Sequence, residues 1–156
     1  MEYIEANKDA PATDDGCVFC ALVDGTGPEE ERVLARTALA FVTLAKYPYN
    51  PGHLLVLPAR HVGELEDLTG EENGEIAALL QRGVRALREA SAPHGFNIGI
   101  NLGRVAGAGL PEHLHWHVVP RWGGDTNFMP VVGQTRVLPE LLAETYEKLS
   151  PLFVGD

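Results

Sequence analysis

Three histidines occupy alternate positions in the segment His113-Leu114-His115-Trp116-His117, which continues into Val118-Val119. In an extended strand, side chains two residues apart point to the same side. The pattern therefore predicts a strand with three imidazoles on one face and with Leu114, Trp116 and Val118 on the other, buried face. Because imidazole transfers protons, attacks electrophiles and binds metals near neutral pH, we expect the chemistry on the histidine face.

A catalytic zinc ion held by all three histidines is one interpretation of this row. The geometry of a strand argues against it, since His113 and His117 would lie about 13 Å apart at roughly 3.3 Å per residue. Two neighbouring imidazoles can converge on one metal, whereas convergence of all three is difficult. A linear row fits an extended anionic substrate better, with different histidines serving different atoms.

Four other segments have the composition of short strands. Their apolar residues alternate or run continuously over a few positions, and most of them are bounded by turn-forming residues. The predicted strands cover Val33–Ala35, Leu39–Leu44, His53–Pro58 and Phe96–Leu102. The mostly apolar third segment predicts burial on both faces of the sheet.

Two helices are predicted to accompany these strands. Thr69 and Glu72 form a capping box ahead of apolar residues that repeat at helical spacing as far as Leu87. A last helix is expected to begin near Pro139 and to carry Leu141, Leu142, Tyr146 and Leu149. Together the elements predict an α+β fold, with an antiparallel β-sheet of about five strands, one long helix and a C-terminal helix.

The chain of 156 residues is the size of one domain, which we expect to span residues 17–156 after a flexible N-terminal arm, residues 1–16. It has no apolar run of about 20 residues that could span a membrane, and no signal-peptide pattern at its start. Its two cysteines predict a reducing compartment, hence the cytoplasm. A net charge of −10 argues against binding a nucleic acid polymer, although it leaves room for a small phosphate-bearing ligand.

A glycine-rich loop, Gly103–Gly109, precedes the histidine segment and contains Arg104. Its backbone N–H groups lack shielding side chains, so together with the arginine they could bind phosphate oxygens. Asn101 at the end of the incoming strand could add a hydrogen bond. His53 begins a strand that we expect beside the histidine strand, and it brings a fourth imidazole to the site.

The two cysteines stand in the motif Cys17-Val18-Phe19-Cys20. Such a motif is compatible with a zinc site, with redox chemistry or with two packed thiols. A redox motif usually starts a helix after a core strand, and nothing before Cys17 has the pattern of such a strand.

These motifs together resemble those of the histidine triad (HIT) superfamily. The resemblance lies in His113–Val119 and in Pro51–Val56, and the segments Tyr47–His53 and Pro120–Phe128 are similar to the bacterial branch that contains diadenosine tetraphosphate phosphorylases and hydrolases. Membership implies a HIT-like fold and a homodimer whose two sheets join across the two-fold axis.

The resemblance also implies a role for each matching residue. His115 matches the nucleophile, which would attack the α-phosphorus of a nucleotide and form a covalent nucleotidyl-histidine. His117 and His53 match positions that line the phosphate site, and Asn101 matches a polar contact. Many members carry Gln followed by Ser or Thr where this chain has Ala108-Gly109-Leu110. The predicted substrate-binding set is therefore His53, Asn101, Arg104, Gly107, Gly109 and His117.

For the cysteines, the resemblance implies a structural Zn²⁺ and no organic cofactor. Its ligands would be Cys17, Cys20, His61 and His113, because two thiolates and two imidazoles form a closed tetrahedral set. The implied partner is a nucleotide substrate.

The resulting hypothesis is a nucleotidyl transferase or hydrolase that cleaves dinucleoside polyphosphates through a nucleotidyl-His115 intermediate. Orthophosphate is favoured slightly over water as the acceptor, because the matching segments point to the phosphorylase-containing branch. Two alternatives stay open at this point. One is an adenosine 5′-phosphoramidase of the same superfamily, and the other is a non-catalytic nucleotide- or metal-binding module in which the histidines ligate rather than react.

Overall fold

The computed structural model of the protein describes residues 16–26, 30–125 and 140–154. Three sequence predictions fall outside these ranges: the arm before residue 16, the start of a helix at Pro139, and the last three residues of the segment Pro120–Phe128. No helix in the described ranges combines the length and the apolar character needed to cross a bilayer.

The described residues form one antiparallel sheet of five strands. In chain order the strands are β1 (Val33–Arg36), β2 (Ala40–Leu44), β3 (Leu54–Pro58), β4 (Gly95–Ile100) and β5 (Trp116–Arg121). In space the order is β1-β2-β3-β5-β4, and every neighbouring pair is antiparallel. The predicted α+β fold with a five-stranded antiparallel sheet is confirmed, and β5, which lies between β3 and β4, brings His117 inside the sheet.

The described residues also form three α-helices, α1 (Val18–Val23), α2 (Gly70–Ser91) and α3 (Leu142–Leu149). The predicted capping box starts α2, where the Thr69 hydroxyl accepts from the Glu72 N–H at 3.1 Å and the Glu72 carboxylate accepts from the Thr69 N–H at 2.8 Å. The helix ends at Ala92, whose left-handed φ of 44° turns the chain just before Pro93. Helices α2 and α3 contact each other, and α2 packs on β2, β3 and β5.

The two faces of the sheet carry different cores. Leu114 and Val118 belong to the core shared with α2, and Trp116 packs against it. On the opposite face, Phe19 and Leu22 of α1 belong to a smaller apolar cluster that also contains residues of β2 and β3. The expected separation of apolar and histidine faces is confirmed, and β3 is buried along its whole length as predicted.

Two local predictions were wrong. Strand β5 begins at Trp116, so His113 and His115 precede the strand instead of lying within it. Leu141 was expected on the apolar face of the last helix, yet it is 71% exposed. Its position explains this, since it is the residue before the first helical turn, where its N–H donates to the Glu144 carboxylate at 3.0 Å. Leu149 is buried as predicted.

Candidate active site

Two histidines meet where β3 and β5 run side by side. His117 lies opposite Leu55 in the register of these strands, and His53 immediately precedes β3. Their ring nitrogens, Nε2 of His53 and Nδ1 of His117, are 2.9 Å apart. The predicted closeness of the fourth histidine to the histidine row is therefore observed.

Hydrogen bonds from the backbone determine where the protons of this pair reside. The Tyr49 N–H donates to Nδ1 of His53 at 3.1 Å, so a neutral His53 carries its proton on Nε2 and donates it to Nδ1 of His117. His117 must then carry its own proton on Nε2. This nitrogen is buried and has no hydrogen-bond partner among the described residues. A buried donor without a partner is costly, so the site is arranged to donate to a ligand atom at this point.

His117 is neutral at physiological pH. Burial, together with the smaller effect of the neighbouring His115, lowers the pKa of His117 to about 4. A histidine in this state donates through one nitrogen and accepts through the other, which is what the chain Tyr49–His53–His117 requires.

In His115 the proton is on the other ring nitrogen, Nδ1. Its Nδ1–H donates to the backbone carbonyl of His113 at 2.8 Å, because a carbonyl oxygen can only accept. The Nε2 atom is therefore left with a free lone pair. Burial lowers the pKa of His115, and the bond to the His113 carbonyl partly opposes this effect. A neutral imidazole with a fixed, unprotonated nitrogen is suited to nucleophilic attack.

His115 and His117 line a cavity of about 210 Å³ between α1 and the sheet. Its apolar wall includes Phe19 and Leu22, and the ring of Phe19 lies 5.3 Å from that of His115. Lys46 and Arg32 bring positive charge to the same cavity. An apolar wall beside imidazoles and cations suits a ligand with one flat apolar part and one anionic part.

The glycine loop contributes to this cavity through Gly107 and Gly109. Gly107 has a φ of +99°, and a Cβ there would lie 3.7 Å from the side-chain amide of Asn101. The Gly107 N–H donates to the Arg104 carbonyl at 3.0 Å, and the Ala108 N–H donates to the Gly103 carbonyl at 3.2 Å. These two amides are thus already engaged inside the loop, which narrows the set of amides that can reach a phosphate.

Arg104 is placed away from the predicted site. Its guanidinium donates to the carboxylate of Glu112 at 3.1 Å, its side chain is about half exposed, and it is absent from the described lining of the cavity. The structure therefore does not bring Arg104 to the histidines, whereas it does bring Lys46.

The four predicted metal ligands converge beside this cavity. One ligand atom from each of Cys17, Cys20, His61 and His113 can be chosen so that all four lie within 4.8 Å of one another. The Cys17 Sγ and the His113 Nδ1 are 3.4 Å apart, and the Cys20 Sγ and the His61 Nδ1 are 3.3 Å apart. A tetrahedron with metal–sulfur bonds of about 2.3 Å and metal–nitrogen bonds of about 2.0 Å has edges of roughly 3.5 Å.

The protonation of His113 fits a metal as well. Its Nε2–H donates to the Pro58 carbonyl at 3.0 Å, which leaves Nδ1 unprotonated and directed at the two sulfurs. A ligating histidine commonly fixes its tautomer by donating its other N–H to a carbonyl. The cluster could therefore hold a metal ion, and its two thiols and two imidazoles favour zinc.

Several residues that border the site were missed by the sequence interpretation. The ring of Tyr49 stacks on His53 and on His117, at 4.8 and 5.8 Å between ring centres. Asn50 donates to the Asp125 carboxylate at 2.9 Å, and Asp125 is also paired with Arg121. An aromatic residue directly before an Asn-Pro-Gly turn was the available signal for Tyr49. No comparable signal links Asn50 to Asp125 across 75 positions of sequence.

Residues 27–124 match the model of the HIT domain family. A protein from Mycobacterium tuberculosis named AP-4-A phosphorylase is 53% identical over 122 residues, 78% of this chain and 63% of that protein, so the match spans less than two thirds of its length. The adenosine 5′-monophosphoramidase of Schizosaccharomyces pombe is 32% identical over 105 residues, 67% of this chain and 74% of that protein.

Solved structures agree with this assignment. A zinc-bound histidine triad family protein from Mycobacterium smegmatis superimposes with a TM-score of 0.74 at 34% identity, covering 90% of this chain and 95% of that one. The chain therefore belongs to the histidine triad, or HIT, family.

Proposed function

We propose that the protein is a nucleotidyl transferase or hydrolase that cleaves dinucleoside polyphosphates through a covalent nucleotidyl-His115 intermediate. The observation that carries the proposal is that the Nε2 atoms of His115 and His117 differ in protonation, so that one can attack and the other can donate. Nε2 of His115 has a free lone pair because Nδ1 donates to a carbonyl, and Nε2 of His117 bears a buried proton without a partner among the described residues. A nucleophile and a hydrogen-bond donor stand side by side, with ring centres 5.2 Å apart.

In the proposed reaction, the His115 lone pair forms a bond to the α-phosphorus as the bond from phosphorus to the bridging oxygen breaks. The electron pair of that bond leaves with the oxygen, which departs as the terminal phosphate of the leaving group. The His117 N–H donates a hydrogen bond to the developing negative charge. An acceptor oxygen then attacks the phosphorus, the phosphorus–nitrogen bond breaks, and neutral His115 is restored.

Predicted substrate-binding residues fit this scheme to different degrees. His53 supports the donor by fixing the tautomer of His117, while Gly107 and Gly109 face the histidine cavity. Asn101 packs close to Gly107. Arg104 would have to leave Glu112 to contact a phosphate. For this reason we assign the countercharge near the phosphates to Lys46, which lines the cavity.

We further propose that Cys17, Cys20, His61 and His113 hold a structural Zn²⁺. A closed set of four protein ligands leaves no position for substrate, so a bound zinc would supply structural cross-linking and no bond-making chemistry. Because thiols stay reduced in the cytoplasm, we place the protein there.

Phosphorolysis is the form of the reaction that the similarity to the Mycobacterium tuberculosis protein favours, since that relative is named AP-4-A phosphorylase. A phosphoramidase is the second candidate, and its support is the similarity to the Schizosaccharomyces pombe enzyme. Both reactions would use the same His115 intermediate. A homodimer is also proposed, in which two sheets join through an edge strand; among the described strands the edges are β1 and β4.

Intact-protein mass spectrometry tests the intermediate, and product analysis tests the acceptor. With diadenosine tetraphosphate, the wild-type protein should gain the mass of one nucleotidyl group, and added phosphate should yield ADP plus ATP. His115→Ala should lose at least about 10³-fold in turnover, since the attacking atom is gone. His94→Ala, a histidine in a turn outside the site, is the control. A normal rate in His115→Ala would refute the mechanism, and AMP as the sole partner of ATP at every phosphate concentration would identify water as the acceptor.

A further inference from the structure

We infer that a second groove, on the far side of His117 from the nucleophile, binds the distal nucleoside of a dinucleoside polyphosphate, the half that departs with the leaving group. This inference rests on the proposed function. The groove has a volume of about 440 Å³ and its described lining comes from β4, β5 and the turn before His53. Its size falls within the range of about 300–1,000 Å³ that is typical of small-molecule sites.

The floor of the groove is continuous with the reaction site. Gly99 of β4 lies directly opposite His117 of β5, so it occupies the position next to the proton donor on the same face. A Cβ added at Gly99 would meet no atom of the described residues within 4 Å, so the space above it is open on the described part of the protein. Because side chains two residues apart share a face, Asn97 and Asn101 flank this opening with their amides.

The charges in the groove favour a neutral occupant. Arg121 lines it, but its guanidinium donates to Asp125 at 2.6 and 2.8 Å and to the Asn97 side chain at 2.6 Å. The cation is thus balanced by a carboxylate that lines the same groove. A balanced, amide-rich surface suits the ribose and base of a nucleoside better than it suits a phosphate chain, whose charge would meet Asp125.

Tyr49 separates the two halves of the proposed substrate site. It lines both the groove and the cavity between α1 and the sheet, and so does His117. The apolar wall of Phe19 and Leu22 in the first cavity would hold the nucleoside whose phosphorus is attacked. In an in-line displacement the leaving group departs on the side away from the attacking atom. A polyphosphate that is attacked by His115 would continue past His117 into the groove. The groove is therefore the space that remains for the distal nucleoside.

The test compares two substrates that differ only in the distal nucleoside, diadenosine tetraphosphate and adenosine 5′-tetraphosphate. Gly99→Val places a side chain in the open floor without replacing any residue of the reaction site. It should lower kcat/KM for the dinucleotide by about 10-fold or more, and for the mononucleotide by less than about 3-fold. The control is Gly95→Val, the same change on the same strand and face but outside the groove lining, which should leave the substrate preference unchanged.

Each outcome is decisive. An equal loss for both substrates, no loss for either, or an altered oligomeric state of Gly99→Val without a change in preference would overturn the groove assignment. In all three cases wild-type turnover of both substrates would leave the proposed function standing. If the wild-type protein cleaves neither substrate and forms no adduct, both proposals are overturned. Thermal unfolding checks that Gly99→Val folds. If it does not fold, Gly99→Ser, with its smaller side chain, replaces it in the same comparison of substrates.

Discussion

Replacement of Cys20 by Ser should detach helix α1 from the sheet while the rest of the fold persists. The helix has six residues, far fewer than the dozen or more that an isolated helix needs in water. It is held by the burial of Phe19 and Leu22, by an Arg36 guanidinium that donates to the Leu22 carbonyl at 2.7 Å and, in the proposed zinc-bound form, by the four-residue ligand cluster. Cys20 contributes one ligand to that cluster, and its sulfur lies near both His61 and His113.

The balance of free energies decides whether α1 can stay folded without the metal. Ordering the backbone of residues 17–24 costs about 8–16 kcal/mol at 1–2 kcal/mol per residue. Burial of Phe19 and Leu22 contributes about 3–6 kcal/mol, and the handful of hydrogen bonds at both helix ends adds about 0.5–1.5 kcal/mol each. At the middle of these ranges the segment falls short by a few kcal/mol. A zinc ion bound with about 10–16 kcal/mol supplies more than this deficit.

Hydrogen exchange read by mass spectrometry, together with zinc analysis, checks this prediction. Cys20→Ser should hold well under one zinc per chain, and its α1 amides should lose protection while those of α2 keep theirs. Nucleotide affinity should fall by about 10-fold or more, because the apolar wall of the first cavity moves with α1. Asp24→Ser, an exposed change at the end of the same helix, should alter none of these properties. Full α1 protection in a zinc-free Cys20→Ser protein would refute the free-energy argument.

Two further predictions concern pH and backbone conformation. Burial lowers the pKa of His117 from about 6.5 to about 4, so between these pH values the unfolded chain binds one proton more than the folded protein. The free energy of unfolding should therefore fall as the pH drops from 6.5 to 4. Because His117 is partly exposed, the free energy of unfolding should fall by only about 1–2 kcal/mol, as measured by urea titrations at the two pH values. An equal fall in wild type and in His117→Gln would contradict this prediction. Gly52→Ala should destabilise by about 1–3 kcal/mol, because its φ is +80° and the new Cβ would lie 2.8 Å from Leu87. Gly74→Ala in α2, with no atom within 4 Å, should instead be neutral or stabilising, and equal urea midpoints for the two variants would contradict this.

Elements that depend on local sequence could be predicted well. The α2 capping box is confirmed because its two partners are three residues apart, and the burial of β3 on both faces is confirmed because a continuous apolar run encodes it. The separation of Leu114 and Val118 from the histidines follows from the two-residue period of extended chain. The prediction that all three histidines lie in the strand was wrong, since alternation persists in extended chain that makes no ladder hydrogen bonds.

Contacts between distant segments could not be derived from spacing. The convergence of Cys17 and Cys20 with His61 and His113 joins positions up to 96 residues apart, and only family resemblance suggested it. The engagement of Arg104 with Glu112 was likewise invisible, because a flexible cation near a glycine loop is compatible with many partners. Sequence could name the chemistry of these side chains, whereas the fold decides which of them meet.

The protons are the feature of the site that depends most fully on the fold. His113, His115 and His53 are identical side chains, yet a different backbone group fixes each tautomer: the Pro58 carbonyl, the His113 carbonyl and the Tyr49 N–H. The first frees a nitrogen for a metal and the second frees one for attack, while the third leaves His53 a proton to donate to His117. Because the ring of His113 belongs to the proposed zinc ligands and its carbonyl accepts from His115, any movement of His113 should also turn the proposed nucleophile. A pattern of histidines can show that chemistry is present, but the backbone around them assigns each one its part.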